Sequence, residues 1–498
     1  MKTILAAINA SYVHTNPAVR SLAASANEED IAFCEYNINQ PPSDILYDLL
    51  KQKGDVVCLS CYIWNIGIVL RIAEDLKQAV PGLIVILGGP EVSFEAMVLM
   101  ETAPFVDYIM CGEGEVVFPY LLKSIAAGSK PEIDSVLCRI DGKICGDQTY
   151  AVVDDIEQLP APFAFGQDTY DENRIYYYES TRGCPFSCAY CLSGVIPGGV
   201  REKSVDKVKG DIARFVERGA RLVKFTDRTF NANRERAIEI WKYVIKNTGD
   251  TCFHFEIGLD LLDAEALSLL REAPKGKIQI EAGIQSLNSE TLQAVIRKTD
   301  IRKLKSNALS VIGAGNIHLH LDLIAGLPYE YMKSFERSFI EVYALYPDAL
   351  QLGFLKLLKG TTLKEKAEEY GIAVRSYPPY EVLKTLDLQA EELLLLREIA
   401  GLVDRYYNTK RMRGAFDFVT KNQIVKPFAW YLALYRFSEK HGYAARPVGA
   451  RHQFELMIAF AKEILNQEEL MLFLEKLKAD YQNAKIKGIV PQELREIN

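Results

Sequence analysis

No apolar run in this 498-residue chain reaches the roughly 18 residues that a membrane-spanning helix needs, so no membrane partner is expected. The first residues, MKTILAAINASYVHTN, carry a short apolar run that polar residues interrupt at once. They lack the long apolar region and small-residue cleavage site of a secretory signal and read as a first strand. Internal repeats and low-complexity segments are also missing. A cytoplasmic, reducing setting is therefore expected, in which the ten cysteines are thiols and any tight cluster means metal or redox chemistry. Cys34, Cys58, Cys61, Cys111, Cys138, Cys145 and Cys252 are scattered and read as small buried apolar residues.

What is present excludes a disordered chain: 49% hydrophobic and 25% charged residues are the mix of a globular enzyme. The length suggests two or three domains. A formal charge of -8 argues against broad nucleic-acid or anionic-membrane binding, while leaving room for a local basic patch.

Strand and helix patterns alternate from the N-terminus. The runs KTILAAI, DVVCLSC, LIVILGG and VDYIMCG are separated by helical-period stretches, the form of a doubly wound parallel sheet. Ligands of such sheets bind beyond the carboxyl ends of the strands. The loops there are Ser60 to Asn65 (SCYIWN), Gly88 to Ser93 (GGPEVS) and Cys111 to Glu115 (CGEGE). A hairpin around Ile140-Asp141-Gly142-Lys143 and a proline-rich LPAPF read as a connector. A second alternating series follows: RIYYYES, RLVKFTD, CFHFEIG, KIQIEAGIQS, IHLHLDLIAGLP and ALQLGFLK. Six units are too few for a closed eight-fold barrel and suit an open, partial one with function at the C-terminal rim. The strand signal then gives way to long amphipathic helices.

The chemistry sits in TRGCPFSCAYCLSG, where Cys184, Cys188 and Cys191 lie directly after the first barrel strand. Three thiolates in a short loop can hold three irons of a [4Fe–4S] cube and leave the fourth open to a small chelator. A zinc site completed from elsewhere is the competing reading, but zinc takes paired ligands, and no histidine lies within thirty residues on either side.

This spacing, with Tyr190 before the last thiol, resembles the signature of radical S-adenosylmethionine enzymes. The resemblance implies that the open iron binds the amino and carboxylate groups of S-adenosylmethionine (SAM), which is then cleaved to a 5'-deoxyadenosyl radical. The order Glu256, Gln285 with Ser286, Arg297 and Asp322 resembles the barrel of radical enzymes related to coproporphyrinogen oxidation, where such residues hold the nucleoside and amino-acid parts of SAM. Carboxylates and an amide suit ribose hydroxyls, and an arginine fork suits a carboxylate. Gly183 and Gly326 would allow close backbone approach. Asp227, in KFTDRTFNAN, is followed by Arg228 where relatives carry a second acid, which leaves that loop without an assigned role.

A Rossmann-like domain ahead of such a barrel resembles the cobalamin-binding class of these enzymes, in a branch with a helical C-terminal extension. The expected division is residues 1–130 for the cobalamin-binding domain, 131–170 for the connector, 171–372 for the radical SAM core and 373–498 for an all-helical domain. Ser60, Tyr62, Trp64, Asn65, Gly88, Gly89, Pro90, Glu91, Gly112, Glu113, Gly114 and Glu115 are the implied cobalamin contacts. The D-x-H-x-x-G loop that gives cobalt a histidine in other cobalamin proteins is missing, and His14 either ligates cobalt, hydrogen-bonds locally or contacts substrate. The implied reaction is cobalamin-dependent methylation of an unactivated carbon. Alternatives are a radical rearrangement, cyclisation or oxidation with a non-methylating or vestigial cobalamin domain, and an iron–sulfur sensor or interaction protein. The implied partners are a small-molecule or peptide substrate and an external flavodoxin- or ferredoxin-like electron donor.

Overall fold

The structure, a computed structural model, describes residues 1–26, 30–161, 163, 171–443, 449–486 and 490–496. Its first layer is a seven-stranded sheet in the order β2-β1-β3-β4-β5-β6-β7. The strands are β1 (Thr3–Asn9), β2 (Ile31–Asn37), β3 (Val56–Ser60), β4 (Ile84–Gly88), β5 (Tyr108–Met110), β6 (Val136–Ile140) and β7 (Lys143–Gly146). The first five are mutually parallel; β1, β3, β4 and β5 are apolar and packed between helices, while β2 forms the edge.

One strand of this region goes unread in the sequence, and one expectation needs correction. IAFCEYN is a strand, although Cys34, Glu35 and Tyr36 interrupt the apolar run that would have revealed it. The hairpin does turn at Asp141 and Gly142, both at positive φ, but it is no free connector: β6 pairs antiparallel with β5 and extends the sheet. Pro162 and residues 164–170 of the expected connector lie outside the described residues.

The second sheet has six parallel strands in the order β13-β12-β11-β10-β9-β8. They are β8 (Tyr176–Tyr178), β9 (Leu222–Phe225), β10 (Cys252–Glu256), β11 (Ile278–Gln285), β12 (His318–Ala325) and β13 (Ala349–Phe354). Helices cover its outer face, and alternate residues of β11 and β12 point into a partly accessible lumen. An open barrel leaves two unpaired edges, and here the flanking regions cover both. At the β8 edge, the Ile175 amide donates to the Val13 carbonyl (2.6 Å) and the Thr15 amide to the Ile175 carbonyl (3.3 Å). At the β13 edge, Asn408 accepts from the Leu350 amide (2.9 Å) and donates to the Leu350 carbonyl (3.0 Å).

The C-terminal region shares one continuous core with the barrel. It is not all helical from residue 373: Ala373–Val374 pairs with Val382–Lys384 in a small antiparallel ladder, and the helices begin at Ala390. These strands are too short, and too close to Pro378 and Pro379, to give a periodic signal.

One ion network ties the two sheets together. Arg182 pairs with Glu115 and Glu113 of the first domain and with its own neighbour Glu179. Arg201 adds a second bond pair to Glu113 at 2.7 and 2.8 Å. Burial pushes Glu115 up, but the Arg182 guanidinium outweighs it and holds this carboxyl below its ordinary value. Arg182→Ala should therefore strand a buried carboxylate, at about 3–5 kcal/mol for a buried pair broken on one side. A thermal or urea midpoint should fall clearly; an unchanged midpoint would mean that the two sheets are held by other contacts.

Candidate active site

The loops after β3, β4 and β5 face the rim of the barrel across a cavity of about 540 Å³. Ser60, Tyr62, Trp64, Gly88, Gly89, Pro90, Glu91, Gly112, Glu113, Gly114 and Glu115 line it from the first domain. Thr181, Arg182, Gly183, Thr226 and Arg228 line it from the barrel, with Lys359 beyond β13. An apolar slot formed by Leu5, Val19, Leu22, Cys58, Ile86 and Met110 runs under the helix Pro17–Ser25. Tyr62 and Trp64 stack at 4.4 Å between centroids and 7° between planes, and Trp64 Nε1 is anchored on the Ile8 carbonyl at 3.1 Å. The Ser60 hydroxyl is buried without a partner.

Four expected contacts are otherwise engaged. Asn65 does not line the cavity: buried to 1% exposure, it donates to the Ile8 and Ser60 carbonyls and accepts from the Tyr62 amide, so it braces the loop. Glu113 and Glu115 reach the wall but are committed to Arg182 and Arg201, because buried carboxylates need cations. Glu91 likewise receives the Tyr380 hydroxyl and pairs with Lys359 at 3.0 Å. His14 turns to the barrel, its Nδ1 2.7 Å from the Tyr177 hydroxyl.

The cysteine loop leaves β8 through Ser180 and Thr181. Asp227, fully buried at the end of β9, accepts from the Ser180 amide and hydroxyl and from the Thr181 amide, which fixes the loop's departure. That is the role its neighbour Arg228 had obscured. Gly183 is at φ 83°, and a Cβ there would lie 2.1 Å from the Gly199 carbonyl oxygen, so only glycine fits. Further on, the Ala189 amide donates to the Val295 carbonyl at 2.9 Å. Arg297 lies 3.8 Å from Cys188 Sγ and 3.4 Å from the Tyr190 hydroxyl. Burial raises the Cys188 thiol, and this guanidinium opposes the rise. Among the described residues, the three potential ligand atoms that all lie within 4.8 Å of one another belong to Glu281, His320 and Asp322, not to the thiols.

The other rim residues divide into open and closed. Gln285 sits at φ 69° beside a register shift in β11, with its side chain folded over Gly283; its Oε1 is buried and unpartnered. Arg297 donates one Nη to the Gly283 carbonyl, and its Nε is also buried without a partner. Orphaned polar atoms on two adjacent groups fit a polar ligand. Burial pushes the Glu256 carboxyl up to about 7, against the pull of Arg228 and Lys224. Ser286, by contrast, is closed: its hydroxyl donates to buried Glu330 and accepts from the Asn288 amide. At Gly326 the space a Cβ would take is filled by Val382, 2.7 Å away, so the close approach there is by the C-terminal ladder. Asp322 is engaged by His320 Nε2 at 3.1 Å.

Sequence reasoning missed the second half of this site: Glu179, Arg182 and Lys359 at the cavity, and His254, Glu281 and His320 in the lumen. The lumen residues carried a signal, since His318, His320 and Asp322 stand at every second position of β12 and share one face.

Comparison with known proteins agrees with this layout. The B12 binding domain family matches residues 3–122, the radical SAM superfamily residues 178–340, and a protein family of unknown function (DUF4080) residues 368–498. The cobalamin-dependent radical SAM methyltransferase TokK of Streptomyces tokunonensis is 28% identical over 362 residues, 64% of this chain and 50% of TokK. The 2-(S-pantetheinyl)-carbapenam-3-carboxylate methyltransferase of Streptantibioticus cattleyicolor is 28% identical, over 56% of this chain and 44% of its own. The chain thus spans about half the length of these two relatives. The solved structure of the cobalamin-dependent SAM radical enzyme OxsB, with aqua-cobalamin and SAM bound, superposes with a TM-score of 0.66 at 14% identity. It covers 100% of this chain and 83% of OxsB, a likeness of fold. The radical SAM domain implies a [4Fe–4S] cluster and SAM, and the B12 domain implies cobalamin. The chain joins a B12-binding domain to a radical SAM domain and is homologous to the cobalamin-dependent radical SAM methyltransferases.

Proposed function

We propose that this protein is a cobalamin-dependent radical SAM methyltransferase that methylates an unactivated carbon of a small-molecule or peptide substrate. The observation that carries the proposal is the single cavity walled by the glycine-rich loops of the first domain and by the rim that holds the cysteine loop. When bound, the cluster and SAM supply one-electron hydrogen abstraction, and cobalamin supplies a methyl group.

The chain's own residues bind, orient and exclude water. Cys184, Cys188 and Cys191 would hold three irons of the cluster, which leaves the fourth open to SAM. Arg297 and Gln285 offer a carboxylate the buried donors and acceptor that the fold leaves unpaired. Glu256, close to half protonated near pH 7, can both donate to and accept from hydroxyl groups, and Asp322 joins it toward the ribose. Gly88 and Gly89 let a broad, flat ligand lie against backbone, while the apolar slot takes an extended tail and Ser60 its polar group. Tyr62 and Trp64 shield the mouth. A flavodoxin- or ferredoxin-like protein in a cytoplasmic setting would supply electrons.

Anaerobic reconstitution with hydroxocobalamin and a strong reductant tests this directly. SAM should yield both 5'-deoxyadenosine and S-adenosylhomocysteine. Absence of 5'-deoxyadenosine with the cluster intact would overturn the radical reading, and 5'-deoxyadenosine alone would point to rearrangement, cyclisation or oxidation. Single Cys→Ala changes at 184, 188 or 191 should each abolish cluster iron and cleavage.

Glu256 gives a pH test. Its folded pKa of about 7 lies above the ordinary 4.5, so between those values the fold binds more protons than the unfolded chain. The stability this contributes is complete below the ordinary carboxylate range and is lost as pH rises through about 7. Glu256→Gln should track the parent near pH 5 in thermal melts of cofactor-free protein and exceed it at pH 8; parallel curves would remove the buried, unpaired carboxyl from the site.

A further inference from the structure

Three of the chain's six histidines stand on the barrel strands: His254 on β10, and His318 and His320 on β12. Two of them belong to an alternating series of imidazoles and carboxylates. His254 Nε2 lies 3.1 Å from Glu281 Oε2, which lies 3.9 Å from His320 Nδ1; His320 Nε2 lies 3.1 Å from Asp322 Oδ1. Strand register makes the series possible, because Glu281 of β11 is directly opposite His320 of β12. His254 is the buried end at 7% side-chain exposure, and the other three are 19–27% exposed to the lumen.

A metal chelate is the first reading to weigh, since ligand atoms of Glu281, His320 and Asp322 lie within 4.8 Å of one another. The ring of His320 speaks against it. Glu281 approaches it at Nδ1 and Asp322 at Nε2, on opposite sides of the ring, whereas an ion takes one nitrogen and gathers its carboxylates there. The arrangement is a chain with two ends.

Each link has an electrostatic reason. The His254 hydrogen bond holds the Glu281 carboxyl below its ordinary value despite burial. Burial works against a charged His320, but Asp322 and Glu281 outweigh it and raise the imidazole's pKa. Burial raises Asp322, and the bond from His320 opposes that rise. Without His320, Asp322 would share the lumen with Glu281 and Glu256 and with no donor of its own.

We propose that His254, Glu281 and His320 form a positioning relay that orients the Asp322 carboxylate, with His320 Nε2 set 3.1 Å from Oδ1 and the carboxylate turned to a ribose hydroxyl. This rests on the assignment of Asp322 to the nucleoside part of SAM. His254 and Glu281 touch no ligand in this scheme and act only through His320.

The test is the dissociation constant of SAM for the holoenzyme, loaded with cluster and cobalamin, by calorimetry, with cluster content and thermal midpoint recorded for every variant. Asp322→Ala and His320→Ala should each weaken binding roughly tenfold, as expected for a charge-assisted hydrogen bond lost or misaligned. His254→Ala should weaken it several-fold, and His320→Gln, whose amide can still donate to Asp322, should recover part of the loss. The double variant His320→Ala/Asp322→Ala should bind no worse than Asp322→Ala, because a residue acting through another has nothing left to act on. His318→Ala, on the same strand but outside the chain, should leave affinity unchanged. Multiplying losses in the double variant, or no loss in His320→Ala, would overturn the relay. A divalent ion that co-purifies and is lost in His254→Ala and His320→Ala would replace it with a chelate. An unchanged affinity in Asp322→Ala would instead remove the seat itself, a failure of the cofactor assignment. If His320→Ala does not fold, His320→Gln and His254→Asn carry the comparison.

Discussion

The guanidinium of Arg182 is the point on which the two halves of the site depend. It sits one residue before Gly183 and two before Cys184, and it is bound by carboxylates from both domains. An arginine is suited to this place because its planar fork can serve several carboxylates at once and stays charged when buried. The consequence is geometric. The loop after β5 cannot move away from the barrel without uncovering Glu115, and the cysteine loop cannot move without carrying Arg182. The first domain and the cysteine loop are thereby set at a fixed separation.

The open barrel raises the same issue on a larger scale. Six strands leave two edges whose amides and carbonyls need partners, and at each edge a flanking segment supplies two hydrogen bonds. The chain from Val13 to Thr15 pairs with Ile175, while Asn408 supplies the two hydrogen bonds of a missing strand to Leu350. The helical region is therefore no appended module. Its core is continuous with that of the barrel, and the ladder before it seats Val382 against Gly326 at the rim. Substitutions in these helices should be read for their effect on barrel closure as well as on their own packing.

The parts of this fold that were legible in the sequence rest on local physics. Apolar periodicity marked the barrel strands and four of the five parallel strands of the first sheet, and the cysteine spacing needed only a short loop. What escaped depends on pairs far apart in sequence. The hairpin's place in the first sheet is fixed by its pairing with β5, which no local pattern records. Glu113 and Glu115 looked like free ligand groups because Arg182 is 67 residues from Glu115 along the chain. Ser286 was claimed by Glu330 and Asn65 by the loop it braces, and neither partner is visible from composition. The site residues read correctly as strand-end polar groups were therefore of two kinds, and only the three-dimensional partners separate them.

That separation has a physical criterion. A buried polar atom that the fold satisfies internally is structural, while one the fold leaves unpaired costs free energy until something else satisfies it. By this measure Gln285 Oε1, Arg297 Nε and the Ser60 hydroxyl are left unpaired at the rim and cavity, while Asn65 and Ser286 are satisfied within the fold. The lumen carboxylates sort in the same way. Glu281, with His254 beside it, is held ionised, whereas Glu256 has burial as its dominant influence and rises to about 7. Two carboxylates opposite each other on adjacent strands are thus shifted in opposite directions, because one was given a histidine and the other was not. A partner, or the lack of one, decides which way a buried carboxylate is shifted.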